Sequence, residues 1–191
     1  MNQSEGRIIL GIDPGTTIMG FGLIRIIKDE MHLITLDVLY LKKIQEHQLR
    51  FKRIFEKTLS LIDEYKPDSL AIEAPFFGKN IQSMLKLGRA QGVAIAAALF
   101  RNIPIAEYSP KKIKQSITGN GNASKEQISA MLKTLLNIDP KHLGLKQLDA
   151  TDGLAAAVCH YFQSRTPGTS TKQKNYSNWK TFLADNPERK A

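Results

Sequence analysis

Four carboxylates in this 191-residue chain stand where a carboxylate is costly unless something positive answers it. Asp13 closes the apolar run "RIILGI" (7–12) and is followed at once by Pro14-Gly15-Thr16-Thr17, while Glu73 lies inside "LAIEAPF" with apolar neighbours on both sides. Burying an unpaired charge costs roughly several kcal/mol. Asp149 and Asp152, in "LDATDG", are three residues apart at the start of a helical pattern, so their side chains share one face about one turn apart. Taken singly, each has a plain explanation. An acid at a strand end caps a turn or pairs with arginine, and acids in a first helical turn complement the macrodipole. Taken as a set at one cleft, they would raise one another's pKa values unless a cation neutralised them. Oxygen donors alone suit a hard ion, Mg²⁺ or Mn²⁺. Two such ions about 3.5 to 4 Å apart can activate water and stabilise the leaving oxygen in phosphodiester hydrolysis.

The elements that must carry these acids are legible from periodicity. Strand patterns cover 7–12, 20–27 and 32–41, with Lys28-Asp29-Glu30 as a polar turn, which predicts an antiparallel meander. A helical stripe through Phe51, Ile54, Phe55, Leu59 and Ile62 spans 47–65 and stops before Pro67. Residues 69–76 return to strand. A long helix follows over 80–100, amphipathic at first and apolar on nearly all faces in its second half, which predicts burial there. A last strand is expected at 103–109 and a helix from Pro110 to 117. "GNGNAS" (119–124) then offers Ser124 as cap for a helix over 125–137 with Ile128, Met131, Leu132 and Leu135 inward. The final helix, 147–162, turns Leu154, Ala157, Val158 and Tyr161 inward. The order predicts an α/β fold, a mixed five-stranded sheet with helices on both faces and its ligands near the strand carboxyl ends.

The formal net charge of +9 points to a polyanionic partner. It is not a tail effect, because residues 1–162 hold 21 basic and 16 acidic side chains. A cationic body around acids is what a metal-dependent nuclease needs, since the acids alone would repel DNA. The single cysteine, Cys159, excludes an internal disulfide framework and fits a reducing cytoplasm. No apolar run approaches the roughly 20 residues that span a bilayer. Residues 164–191, rich in Ser, Thr, Asn and Lys, read as a basic, mostly disordered tail behind a domain over 1–163.

The blocks "ILGIDPGTTIMGFGLI", "AIEAPFFGKNIQSMLKLGRAQGVAIAAAL", "KKIKQSITGNGNASKEQI" and "LDATDGLAAAV" together resemble the RuvC family of bacterial Holliday-junction resolvases, in the ribonuclease H-like superfamily. The resemblance runs in order over about residues 7–163. It implies a homodimer that binds a four-way DNA junction and nicks two strands of like polarity symmetrically, leaving 5′-phosphate and 3′-hydroxyl ends. Asp13, Glu73, Asp149 and Asp152 fall on the family's metal-binding acids, with Asp13 bridging two ions; some members carry His at the position of Asp149. The family also implies a branch-migration complex, RuvA with RuvB, as partner.

By the same resemblance, Phe76 matches an aromatic that stacks on an unpaired base at the crossover, a contact worth about 1 to 3 kcal/mol per base. Phe77 is either a second such ring or a core residue. Lys79 and Asn80 are candidates for nearby phosphate contacts. Lys114 and Lys125 match basic positions near the scissile phosphate, with Lys111 and Lys112 as added charge; read without the family, a lysine run is a solvated face. Gly88 and Gly92, four apart on the long helix, let another backbone approach, either within the fold or across the family's dimer interface. Two rivals share features. An ATPase of the actin and sugar-kinase type has a loop like "GIDPGTT" but needs a second lobe, and a related nuclease acting on structured RNA would keep the same acids.

Overall fold

The computed structural model describes residues 6–75, 80–138 and 148–165, the side chains of Leu148 and Asp149 excepted. Ten elements follow in the order expected: β1 (Arg7–Asp13), β2 (Ile18–Ile27), β3 (Glu30–Tyr40), α1 (His47–Tyr65), β4 (Ser69–Glu73), α2 (Ile81–Phe100), β5 (Ile105–Tyr108), α3 (Pro110–Thr118), α4 (Lys125–Leu135) and α5 (Leu148–Arg165). They build one five-stranded sheet in the order β3-β2-β1-β4-β5. β1 pairs antiparallel with β2 and parallel with β4, and β4 pairs parallel with β5. The meander turns tightly because Lys28 and Asp29 both adopt positive φ (47° and 65°), the geometry that matches strand twist in a two-residue hairpin.

Period-two alternation sorts the strands between two apolar layers. Leu10, Ile12, Leu70 and Ile72 face α1 and α2, where Ile54, Ile62, Ala90 and Ala94 meet them. Ile9 and Ala71 face the opposite layer, built from Ile113 and Ile117 of α3, Ile128 and Leu132 of α4, and Leu154, Val158 and Tyr161 of α5. The same alternation turns Asp13 and Glu73, at the carboxyl ends of β1 and β4, toward that second layer.

Helix α5 lies unusually close to the sheet. A Cβ on Gly11 would stand 2.6 Å from the Ala157 nitrogen, and one on Gly22 would stand 2.5 Å from the Leu154 Cα, so only glycine permits the approach. Caps punctuate the helices on this face. Ser109 Oγ accepts from the Lys112 amide, with Pro110 at the first helical position. Ser124 and Gln127 form a reciprocal capping box at α4, more complete than the single cap expected.

Several expectations are corrected. β4 ends at Glu73 rather than 76, so the acid terminates its strand instead of lying within it. The second half of α2 is not wholly buried: Leu99 and Phe100 are 58% and 63% exposed, because only one side of the helix meets the sheet and α1. Met131 is likewise exposed on α4, where Ile128 and Leu132 suffice to meet α5. α5 runs to Arg165, three residues further than expected, tied back where Arg7 donates to Ser164 Oγ at 2.6 Å. The expected disorder of the tail falls, from residue 166 on, outside the described residues.

Candidate active site

β1 and β4 are adjacent parallel strands with Ile12 opposite Ile72, so Asp13 and Glu73 leave the sheet side by side. α5 supplies Asp152 from its first turn, held over the sheet by the glycine contacts beside it. A Cβ on Gly153 would stand 2.6 Å from the Gly20 carbonyl oxygen, so Asp152 cannot drift away without moving the helix. These three acids line one cleft of about 170 Å³ with Lys114, Lys125, Pro110, Ile113, Ile128 and Ala155. The positive charge that Asp13 demanded is therefore present, in two lysines from α3 and α4.

The cleft is electrostatically loaded. Burial, and after it the charge of Asp152, push the Glu73 carboxyl up to about 7, while Lys125 and Lys114 pull the other way. Lys125 Nζ donates to Asp152 Oδ2 at 2.6 Å. Lys114 Nζ donates to the Ala123 carbonyl at 2.9 Å, which fixes the turn before α4 and keeps its charge at the cleft edge.

Carboxylate oxygens are the donors a hard divalent ion takes, and Asp13, Glu73 and Asp152 line this cleft, with Glu73 already held back from ionising. Among the described residues, however, no three Asp, Glu, His or Cys side chains are grouped closely enough to hold an ion. Lys125 meets part of the charge instead. Asp149 lies one turn before Asp152 on α5, its side chain outside the described residues.

The other candidates fall unevenly. Asn80 is the N-cap of α2, its Oδ1 accepting from the Ser83 amide at 3.0 Å. Lys111 does not reach the cleft, and its aliphatic stem packs over Gly121. Phe76, Phe77 and Lys79 lie outside the described residues. Two side chains behind the site carried no sequence signal as positioning groups. Arg50 of α1 donates to the carbonyls of Ile44 (2.6 Å) and Thr16 (3.0 Å), clamping the loop that follows Asp13. Gln91 of α2 donates to Glu107 Oε2 (2.8 Å) and, more distantly, to the Glu73 carbonyl (3.4 Å). A lone Arg or Gln on a helix reads as surface until its partners are seen.

The model of the family described as crossover junction endodeoxyribonuclease RuvC matches residues 9–160, a span that takes in all four acids and both cleft lysines. The chain belongs to the RuvC family. Its relatives named crossover junction endodeoxyribonuclease RuvC include one from Christiangramia forsetii, 60% identical over 96% of this chain and 92% of the relative. Another, from Porphyromonas gingivalis, is 55% identical over 96% of both. Among solved structures, the RuvC of T. thermophilus in complex with a Holliday junction substrate superposes with a TM-score of 0.75 at 28% identity, covering 83% of this chain and 95% of that one. The yeast mitochondrial Holliday junction resolvase Ydc2, 16% identical with a TM-score of 0.61, shares the RuvC fold. Family membership favours neither the ATPase nor the RNA-directed reading. Among the described residues, no helix is long and apolar enough to cross a membrane.

Proposed function

We propose that this chain resolves Holliday junctions, hydrolysing one phosphodiester in each of two strands of like polarity to leave 5′-phosphate and 3′-hydroxyl ends. The observation that carries the reading is the cleft in which Asp13, Glu73 and Asp152 face Lys114 and Lys125, in a RuvC-family chain. Asp13, Glu73, Asp149 and Asp152 would hold two Mg²⁺ ions, or Mn²⁺ in their place. Bound there, the ions would supply an activated water and neutralise charge on the leaving oxygen. The chain's own groups do the rest. Lys114 and Lys125 draw the scissile phosphate to the cleft, and Lys125 can leave Asp152 for a phosphate oxygen as the acids gain other counter-charge. Phe76 stacks on an unpaired base of the opened crossover, with Phe77, Lys79, Asn80 and Lys111 contributing DNA contacts around it. One nuclease domain over 1–163 carries these functions in the cytoplasm, with 164–191 as an appendage.

Two cuts on symmetric strands call for two sites, and a homodimer supplies them. Ile81, Leu85, Gly92, Ala96 and Leu99 form an exposed stripe along α2. Gly88 lies on the same stripe, and among the described residues a Cβ on either Gly88 or Gly92 would meet nothing within 4 Å, so packing against those residues does not call for these glycines. This stripe is the surface we assign to the two-fold contact. RuvA with RuvB, which would deliver the junction, are the partners the family reading adds.

The test is cleavage of a mobile synthetic four-way junction with and without Mg²⁺, comparing wild type with Asp13→Asn and scoring binding in parallel. A variant that binds without cutting supports Asp13 as an ion ligand. Normal cutting by the variant would overturn the carboxylate site, and equal cutting of structured RNA would overturn the junction specificity.

A further inference from the structure

The side chain of Glu73 faces α5, yet its main chain is reached from the other face of the sheet by Gln91, a residue only 7% exposed on α2. The Gln91 amide nitrogen bridges two strand ends, donating to the Glu107 carboxylate on β5 at 2.8 Å and contacting the Glu73 carbonyl of β4 at 3.4 Å. Glu107 is exposed and lies on the α2 side of β5, next to Tyr108, the register partner of Glu73. On the same peptide the Ala74 amide donates to the Tyr108 carbonyl at 2.9 Å. The peptide that follows Glu73 is thus gripped on both of its hydrogen-bonding ends.

That grip matters because Glu73 is the last residue of its strand, with no further ladder to hold it. Its side chain must stand in the cleft beside Asp13 and Asp152, so a small turn of the strand end would move it out of their company. Holding the carbonyl fixes the plane of the peptide one torsion away from the Glu73 Cα, and so fixes where the carboxylate starts. We infer that Gln91 is a positioning residue for the acid site, acting through the main chain of Glu73 with Glu107 as the group that orients its amide. Because α2 also carries the stripe assigned to the dimer, the residue that aims Glu73 stands on the helix that would meet the second protomer.

The inference rests on the resolvase reading for its cleavage assay but has a readout outside it. Gln91→Met keeps length and volume and removes the donor. Gln91→Arg restores two donors and adds a charge that Glu107 can accept. In the full chain, Gln91→Met is expected to cut a saturating four-way junction about 10-fold more slowly with junction Kd unchanged within twofold. Gln91→Arg is expected to stay within threefold of wild type, and Glu107→Ala, at an exposed position, to lose about threefold. The second readout is the rise in melting temperature on adding millimolar Mn²⁺, expected to shrink by at least half in Gln91→Met and to recover in Gln91→Arg. Wild-type cutting by Gln91→Met, or equal damage in Gln91→Met and Gln91→Arg, would overturn the assignment. If wild type leaves the junction uncut, the resolvase reading fails, and the Mn²⁺ shifts alone decide whether Gln91 positions Glu73. If Gln91→Met does not fold, Glu107→Ala and Gln91→Arg decide it, a Glu107→Ala variant equal to wild type in both readouts overturning the inference.

Discussion

Lys125 Nζ lies 2.6 Å from Asp152 Oδ2, joining the first residue of α4 to the first turn of α5 across 27 positions of sequence. The lysine is 67% exposed and the aspartate 19%, so the pair sits at the lip of the cleft with the acid inside. An exposed partner of this kind is worth little as a structural brace, about 1 kcal/mol at most. Its exposed position suits exchange, an ammonium at the lip being placed to turn from carboxylate to phosphate.

Lys125→Met should therefore hardly change folding, lowering stability by less than about 1 kcal/mol, while slowing junction cleavage about 100-fold. Junction affinity should fall by less than about 10-fold, since one phosphate contact among many is lost. Single-turnover cleavage beside a binding titration separates the two effects.

Glu73 gives a pH dependence with a definite sign. Its carboxyl titrates near 7 in the fold and near 4.5 when free, so between those values the folded chain holds a proton that the unfolded chain has released. Without divalent ions, stability from this group is full below about pH 4.5 and lost as pH rises through about 7. Glu73→Gln should remove that slope, gaining on the order of 2 to 3 kcal/mol over wild type at pH 8 in EDTA. Chemical denaturation of both proteins at pH 5 and pH 8 checks it, and Glu73→Gln should also leave the junction uncut.

The glycines fall into two classes with opposite expected behaviour. Gly11→Ala drives a methyl into the backbone of α5 and should cost about 2 to 4 kcal/mol. Gly92→Ala meets nothing within 4 Å among the described residues and should stabilise α2 by about 0.5 to 1 kcal/mol. Sedimentation is the sharper measurement for Gly92→Ala, which should shift the chain toward monomer if a second backbone packs there.

Arg50→Met removes the guanidinium that ties the Thr16 carbonyl, in the loop after Asp13, to the Ile44 carbonyl before α1. Cleavage should fall about 10-fold with junction binding nearly intact, because loosening the loop displaces a ligand without removing a phosphate contact. Equal losses in binding and cutting would instead make Arg50 a DNA contact.

What the sequence disclosed followed from short-range regularities. Apolar runs placed Asp13 at the end of one strand and Glu73 within another, and a three-residue spacing placed Asp149 and Asp152 on one helical face. Family resemblance, rather than periodicity, singled out Lys114 and Lys125 from their neighbours. The misjudged features depend on what lies alongside. Leu99 and Phe100 have the composition of a buried helix end and are exposed because, among the described residues, nothing packs on that side of α2. β4 stops at Glu73 although apolar residues continue, because ladder pairing rather than hydropathy ends a strand. Arg50 and Gln91 act on main-chain carbonyls far away in sequence, and no local pattern announces such a pairing.

β1 is the first strand made and lies at the centre of the sheet, whereas the wall that brings Asp152 over it is α5, the last helix made. Gly11 and Gly22 leave a furrow in the sheet that only α5 fills. During translation, a chain stopped between Glu73 and about residue 148 therefore carries two of the acids beside an apolar furrow that α5 has not covered, and lacks the other two. Such fragments lack the helix wall that completes the acid cleft, so any cutting that needs Asp152 has to wait until α5 has left the ribosome.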